Sequence, residues 1–478
     1  MQTKRTIFIT GASGNMGFEG FKQLLQKRNS CKIVALILPT KKNKEKMSVF
    51  EKEPDVRLVW GDLTNYKDVL EGVTGADFVL HVGGMVSPLA DYHPELTTKV
   101  NIGGIKNIIQ AIKAQPNPNQ IRLVYIGSIA QTGDRNPPLH WGRVGDPIKI
   151  SRYDNYAYTK TVAEREVIES GLKYWVSLRQ TGILHPNLTK TRDPIMFHVP
   201  FQGVLEWVTV QDSGRLLVNV CEENVPEEFW RRIYNIGGGE NFRVANYEFM
   251  QKSFAVQGIE DFRKLVEPNW FALKNFHGQW YEDSDLLQNY LHFRQETLDE
   301  FFTELKEHSP FYTKFAGLVS PKLIKKFTLE PLANHERAPL FGIKHNVKDK
   351  ISAYFGSREK WEQIPSWDKF EISRPSVDPL RLKHGYDETK AQAELNIEDM
   401  KAAAEFRGGQ CLSKTMTTGD LASKLKWCCA FGHKFEASPI LVLMAGHWCH
   451  LCLSDRCNYD ELAKRNPFLA QVCLSSDN

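Results

Sequence analysis

Residues 6–17, TIFITGASGNMG, read as one unit: a short apolar β run, a turn with glycines at 11, 14 and 17, and the opening of a helix whose pattern runs over residues 18–27. Gly11 permits a tight turn. Gly14 lets backbone approach a pyrophosphate, and Gly17 lets helix and strand pack closely. The helix N-terminus adds unpaired N–H groups and partial positive charge for phosphate. A glycine run in this strand–turn–helix setting predicts a dinucleotide site formed by Gly11, Ser13, Gly14, Asn15, Met16 and Gly17. On its own, the same run is also what an ordinary glycine-rich βα turn looks like.

Outward from this turn, strand and helix patterns alternate over the first 250 residues. Strand patterns are KIVALIL (32–38), VRLVWGD (56–62), ADFVLHVG (76–83), IRLVYIGS (121–128) and KYWVSLRQTG (173–182). Helical spacing appears over 95–114 and 156–170, and TKKNKEKM (40–47) reads as a basic loop. Apolar strands separated by helices predict a parallel sheet covered on both faces, hence a doubly wound α/β fold. From residue 251 the texture changes. Residues 285–308 have helical period, 310–379 read as loops and short helices, and 386–407 read as one helix. The expected organisation is 1–250 dinucleotide-binding and catalytic, 251–407 a mainly helical substrate or accessory region, and 408–478 a cysteine-rich module. The C-terminal region is expected to be mixed α+β.

With 478 residues, 42% hydrophobic and 25% charged, the chain is long enough for two or three domains. A net charge of +4 is a mild excess that does not argue for nucleic acid. No stretch reaches the roughly eighteen apolar residues of a membrane span, and the first residues carry no apolar export signal, so a cytoplasmic location is expected. Of nine cysteines, only Cys31 and Cys221 precede residue 400; the other seven fall between Cys411 and Cys473. In a reducing compartment such a cluster points to metal before disulfides.

The second strand ends Leu36-Ile37-Leu38-Pro39-Thr40-Lys41-Lys42, without the carboxylate that holds the adenosine ribose in NAD sites. Lys41 and Lys42 would suit a 2′-phosphate, favouring NADP(H) over NAD(H), or they form a solvated loop. Asp62, followed by Leu63, could accept from the adenine amino group or cap the next helix.

Tyr156 and Lys160 are four apart on a predicted helix and so share a face. An ammonium there would lower a phenol from its usual value of about 10 and make Tyr156 a general acid or base. Tyr158 has only Val162 at the same spacing. Ser128 ends a strand, where this fold binds ligands, and could donate to a substrate oxygen. The plainer readings are an exposed helix pair and a turn serine.

The order TGASGNMG, GDL, HVGGMVSP, VNIGGIKN, YIGSIAQTG, YAYTK and LRQTGILHP resembles the extended short-chain dehydrogenase/reductase family, in its NAD-dependent epimerase/dehydratase-like branch. The resemblance implies a Rossmann domain and NAD(P)(H)-dependent hydride transfer between the nicotinamide and a carbonyl or alcohol carbon. Tyr156 would pass the proton, Ser128 polarise the reacting oxygen, and Lys160 also hold the nicotinamide ribose. Asn101 would support a proton relay or the local backbone. It equally admits an epimerase or dehydratase that recycles its cofactor, and a homodimer formed through two helices, one bearing the tyrosine.

The chain departs from the family in Gly127 before the serine, in HVGG, and in the long segment 137–154 with His140, Trp141, Arg143 and Tyr153, either substrate lining or surface loop. His198, Phe201 and Trp207 would suit an apolar or aromatic small-molecule substrate. Arg179, Arg215 and Arg243 are the arginines at hand for a pyrophosphate.

In KWCCAFGHKFEASPILVLMAGHWCHLC (426–452), Cys429 and His433 form one ligand pair and Cys449 and Cys452 another, a spacing that fits a tetrahedral structural zinc. It is similar to a zinc-ribbon module. Cys428 could replace Cys429, and His447 or His450 could compete with His433. A non-catalytic scaffold or nucleic-acid-associated protein is the remaining reading; Lys424, Lys426 and Lys434 favour it, and Glu436 and Asp455 dilute the patch.

Overall fold

The computed structural model describes residues 4–188, 192–307, 320–454 and 459–473. Seven strands form the central sheet: β1 Arg5–Thr10, β2 Cys31–Ile37, β3 Val56–Trp60, β4 Phe78–His81, β5 Arg122–Ser128, β6 Tyr174–Gln180 and β7 Arg232–Ile236. Their order is β7-β6-β5-β4-β1-β2-β3, with every neighbouring pair parallel. The chain reverses its winding between β1 and β4, and the crevice at the C-terminal ends of those strands is where such a sheet binds ligands. This is the doubly wound fold that the strand–helix alternation predicts.

Six helices clothe the sheet: α1 Asn15–Gln26, α2 Lys41–Met47, α3 Tyr66–Val73, α4 Gly104–Lys113, α5 Asn155–Ile168 and α6 Val210–Asn219. Alternation along each strand sorts the two faces. Phe8, Val34 and Leu36 pack with Val69, Ile108 and Val167 from α3, α4 and α5. Ile7, Ile9, Ile33 and Ala35 pack with Phe21, Leu24 and Leu217 from α1 and α6.

Three local readings change. The run 40–47 is not a loop: Thr40 accepts from the Asn43 N–H and starts α2, while Met47 buries fully and anchors its end. One apolar residue suffices for a single-sided surface helix, so the lysines hide its period. Residues 386–407 are not one helix, because the Asn396 side chain accepts from the Glu398 N–H and Asp399 caps back. That box starts α7 at Ile397–Phe406. The helical stretch after 284 breaks at His292, whose φ of 46° ends one helix before Leu298–Glu307 begins. Short helices follow in the described part of 310–379; residues 310–319 lie outside the described residues.

The C-terminal region adds an antiparallel sheet of β8 Gln410–Cys411, β9 Leu425–Cys428 and β10 Lys434–Ala437. It is packed onto the Rossmann helices: Leu395, Met400, Trp427, Leu441 and Leu443 share one hydrophobic cluster with Ile105 and Val167. Arg165 on α5 donates to the Glu436 carbonyl (3.1 Å), and the Ser438 N–H donates to Glu169 (2.9 Å). α5 is therefore flanked by the sheet on one side and by this region on the other, along the helix through which the resemblance expects a homodimer. Among the described residues, no helix is long and apolar enough to cross a membrane.

Candidate active site and metal cluster

The glycine turn is built by contact. Gly11 has φ +74°, and a Cβ on it would stand 2.7 Å from Gly83. A Cβ on Gly17 would stand 2.3 Å from the Gly11 carbonyl oxygen. Gly14 is the N-cap of α1, and no side chain caps the helix there. The first-turn N–H groups are thus left for a phosphate to accept. Ser13 is half-buried, Gly14 and Asn15 are exposed and Met16 is buried beneath them. This cradle fits a dinucleotide pyrophosphate.

The basic residue that reaches the turn is neither Lys41 nor Lys42, both exposed on α2. It is Lys46, whose Nζ donates to the Ser13 carbonyl (2.9 Å) and lies 3.6 Å from the Phe18 ring centroid. Burial, with Lys42 and Lys22 nearby, pushes its pKa down. Read as a loop, 40–47 gave no reason to prefer Lys46; read as a capped helix, it places Lys46 on the buried side near Met47. Asp62 accepts from the Thr64 N–H (2.8 Å), and Asn65, not Asp62, caps α3. Leu63 lies against the crevice: its Cδ1 would be 3.1 Å from a Cβ on Gly83.

Ser128 ends β5, Tyr156 opens α5, and Lys160 follows one turn on. The Ser128 side chain lies near enough to the Tyr156 phenol to act on it. Lys160 Nζ donates to the Ile126 carbonyl (2.7 Å) and lies 6.0 Å from the Tyr156 ring centroid. The predicted lowering of the phenol does not occur in this arrangement. Burial pushes Tyr156 up to about 12, against the lowering effect of Ser128, and burial pushes Lys160 down to about 8. Desolvation outweighs a cation that is not in contact with the phenol oxygen. Asn101 clamps the loop after β4: its Oδ1 accepts from the Met85 N–H, and its Nδ2 donates to the Met85 carbonyl and Thr159 Oγ1. A Cβ on Gly84 would stand 2.9 Å from Asn101 Oδ1 and 3.8 Å from Lys160 Nζ. Gly83 against Gly11 and Gly84 against Lys160 thus join turn and triad along one crevice. Tyr158 faces the opposite side of α5, toward Cys429 and Cys449.

Beside the N-terminus of α5 lies a cavity of about 490 Å³ walled in part by Tyr92, Tyr153, His198, Arg337 and Tyr354. Tyr153 and His198 are both in its wall, with His198 Nε2 bonded to the Arg337 carbonyl (2.8 Å). Other candidates are elsewhere. Phe201 packs on Phe271 and Trp367, and Trp207 stacks on Phe249. His140 and Trp141 bond the Ser376 carbonyl, and Arg143 pairs with Glu388. Arg179, Arg215 and Arg243 are spent on Glu164, Glu296 and Glu206. Arg152 and Arg337 are the arginines of the cavity. Nothing in their local sequence marks them, since they arrive from segments 185 residues apart.

The metal candidates Cys429, His433, Cys449 and Cys452 come together, with one ligand atom of each within 4.8 Å of the others. His433 Nδ1 is 3.5, 3.6 and 3.4 Å from the sulfurs of Cys429, Cys449 and Cys452, and Cys429 and Cys452 sulfurs are 3.7 Å apart. A zinc tetrahedron with Zn–S of about 2.3 Å and Zn–N of about 2.05 Å has S···N edges near 3.6 Å and S···S edges near 3.8 Å. The donor set therefore fits zinc in both chemistry and spacing. Two turns make it: the β9–β10 knuckle, closed by the Cys429 N–H to the His433 carbonyl (3.0 Å), and Cys449 opening the short helix His450–Leu453. The alternatives separate. Cys428 and His450 are outside the cluster, and His447 is taken by Glu164. Of the basic residues here, Lys424 pairs with Glu169 (3.1 Å); Asp455 lies outside the described residues.

Residues 8–183 match the model of the 3-beta hydroxysteroid dehydrogenase/isomerase family. The chain is 26% identical over 288 residues to short-chain dehydrogenase/reductase family 42E member 1 of Macaca fascicularis, covering 55% of this chain and 67% of that protein. It is 34% identical over 112 residues to a UDP-N-acetylglucosamine 4,6-dehydratase (inverting) of Campylobacter jejuni, a match spanning 33% of that protein and 23% of this chain. Its fold is shared with a dTDP-glucose 4,6-dehydratase from Streptomyces venezuelae solved with NAD, at TM-score 0.52 and 18% identity over 66% of this chain and 98% of that one. The dTDP-glucose 4,6-dehydratase of Bacillus anthracis in complex with NAD aligns at TM-score 0.50 and 15% identity, over 63% of this chain and 96% of that one. Over its Rossmann part the chain is thus similar to the extended short-chain dehydrogenases/reductases, and the comparisons support that family, on the side of the 3-beta hydroxysteroid dehydrogenases and the NAD-dependent epimerases and dehydratases.

Proposed function

We propose that the chain is an NAD(P)(H)-dependent oxidoreductase acting on a carbonyl or alcohol carbon of a small molecule, with Tyr156 as the acid/base. The observation that carries this reading is Ser128 at the end of β5 beside Tyr156 in the first turn of α5, with Lys160 one turn on, in the crevice that also holds the glycine turn. When bound, the nicotinamide supplies or accepts the hydride.

This chain's residues would do the rest. A substrate oxygen placed between Ser128 and Tyr156 receives two O–H donors. A phenol held near 12 is protonated at neutral pH, so Tyr156 is set to donate as a carbonyl is reduced. In the oxidative direction it must first lose that proton, so oxidation should gain with rising pH. Lys160, buried and with no carboxylate partner among the described residues, would hold the nicotinamide ribose and offset charge on the tyrosinate. The first turn of α1 would hold the pyrophosphate. Lys46, and the lack of a carboxylate after β2, favour NADP(H) over NAD(H). Cys429, His433, Cys449 and Cys452 would hold a zinc ion that is structural, all four positions being taken by protein.

Tyr156→Phe should abolish turnover while dinucleotide binding survives. The assay is a library of carbonyls and alcohols followed at the nicotinamide absorbance with both cofactors. Retained turnover in the variant would sink the mechanism. An epimerase or dehydratase reading is favoured by the similarity to the C. jejuni dehydratase. It predicts a dinucleotide that co-purifies and shows no net redox change.

A further inference from the structure

Joined to the Ser128 backbone is a buried network that the proposed reaction itself does not use. The Ser128 N–H donates to Gln131 Oε1 (2.8 Å), and Gln131 Nε2 donates to Glu164 Oε2 (2.9 Å). Glu164 sits on α5, one turn beyond Lys160. Its Oε1 also accepts from Ser177 Oγ (2.7 Å) and Arg179 Nε (3.1 Å), and its Oε2 from Arg179 Nη2 (2.7 Å). The remaining partner comes from the C-terminal region: His447 Nε2, 2.9 Å from Glu164 Oε2. Gln131, Glu164, Ser177 and Arg179 have no exposure at all, and His447 has 3%.

The contact with the C-terminal region is doubled and wedged. Arg179 Nη2 donates to the Ala445 carbonyl (2.7 Å). Gly446, between the two, has φ +74°, and a Cβ on it would stand 1.9 Å from the Asp146 carbonyl oxygen. His447 lies two residues before the candidate ligand Cys449. A segment that carries candidate metal ligands at one end thus meets, at its other end, the carboxylate bonded to Gln131, whose Oε1 accepts from the Ser128 N–H. Groups in a buried charged network depend strongly on each partner, because a vacated position leaves charge or a donor uncompensated.

We propose that the metal cluster braces the catalytic serine: His447 is a positioning residue that acts through Glu164 and Gln131 on Ser128, so that cluster integrity sets the geometry of Ser128 without any ion near the substrate. The inference rests on the reading of Ser128 and Tyr156 given above. It is nevertheless tested by a measurement that needs no substrate.

The experiment is hydrogen exchange by mass spectrometry on the full zinc-loaded chain, with zinc content measured in parallel. It compares wild type, His447→Leu, His447→Gln, and wild type stripped with a chelator and then reloaded with zinc. Amides over 126–133 should exchange at least about tenfold faster in His447→Leu and after stripping. His447→Gln, which keeps an N–H donor, should stay within about twofold of wild type, and reloading should restore protection. The turn at 5–17 and the affinity for NADPH should hardly change.

The proposal is overturned if 126–133 stays protected while 429–452 opens on stripping, or if zinc-loaded His447→Leu matches wild type. It is also overturned if stripping opens 5–17 as much as 126–133, since the brace would then be inseparable from the fold as a whole. If His447→Leu does not fold, the stripped protein and His447→Gln decide. Failure of wild type to bind any nicotinamide dinucleotide would refute the functional reading and leave the exchange result standing.

Discussion

Gly17 approaches Gly11 so closely that a Cβ on Gly17 would stand 2.3 Å from the Gly11 carbonyl oxygen and 2.7 Å from its carbonyl carbon. Neither atom can give, because both belong to the backbone that turns from β1 into α1. Gly17→Ala should push the first turn of α1 outward. The expected costs are about 1–3 kcal/mol in stability and a marked loss of dinucleotide affinity. Urea unfolding and a binding titration with NADPH check it. Unchanged binding in a folded variant would show that this turn is not the phosphate cradle.

Lys46, bonded to the Ser13 carbonyl, would be the cation to meet a 2′-phosphate on the NADP(H) reading proposed above. Lys46→Ala should weaken NADPH at least about tenfold and NADH little, in keeping with the roughly 1.5–3 kcal/mol of a hydrogen bond to a charged group. The double variant Lys41→Ala with Lys42→Ala should leave the ratio of the two affinities where it was. The ratio of dissociation constants, measured for both cofactors, separates these outcomes.

Lys160 is held near pH 8 by burial, whereas in the unfolded chain it returns to the ordinary lysine value. Between those values the unfolded chain binds the extra proton, so the penalty for Lys160 is full below about pH 8 and fades as pH rises toward about 10.5. Lys160→Met should therefore stabilise the cofactor-free protein by up to about 3 kcal/mol at pH 7, with the gain shrinking toward pH 10. Guanidinium unfolding of both proteins at several pH values measures it. A gain independent of pH would assign the effect to packing.

Cys428 and Cys429 are adjacent, yet only Cys429 joins His433, Cys449 and Cys452. Cys428→Ser should keep about one zinc per chain and Cys429→Ser should lose it, as a site with four protein ligands requires. Metal analysis after dialysis decides the matter. Equal retention in both variants would move the site elsewhere.

Much of the fold was open to reading because it depends on local geometry. A strand, three spaced glycines and a helix start make the turn at 11–17, and Ser128, Tyr156 and Lys160 sit where a strand end and one helical turn place them. The four metal candidates could be picked out for the same reason: each pair spans a single tight turn. Where reading failed locally, at 40–47 and 386–407, one side chain decided the outcome. Thr40 starts a helix that lysines disguise, and Asn396 starts one later than its apolar period implies.

The sequence by itself thus determined the order of strands and helices and the glycine turn, and it pointed to Tyr156 with Lys160 and to the Cys429/His433 and Cys449/Cys452 pairs, each set by residues close along the chain. Only the tertiary structure decided that Lys46 rather than Lys41 faces Ser13, that Arg152 and Arg337 rather than Arg215 and Arg243 wall the cavity, and that His447 meets Glu164 across 283 residues. Those pairings come from how the C-terminal region packs onto α5 and the sheet. Burial then fixes the balance of charges there, and burial has no signature in the spacing of residues along a chain.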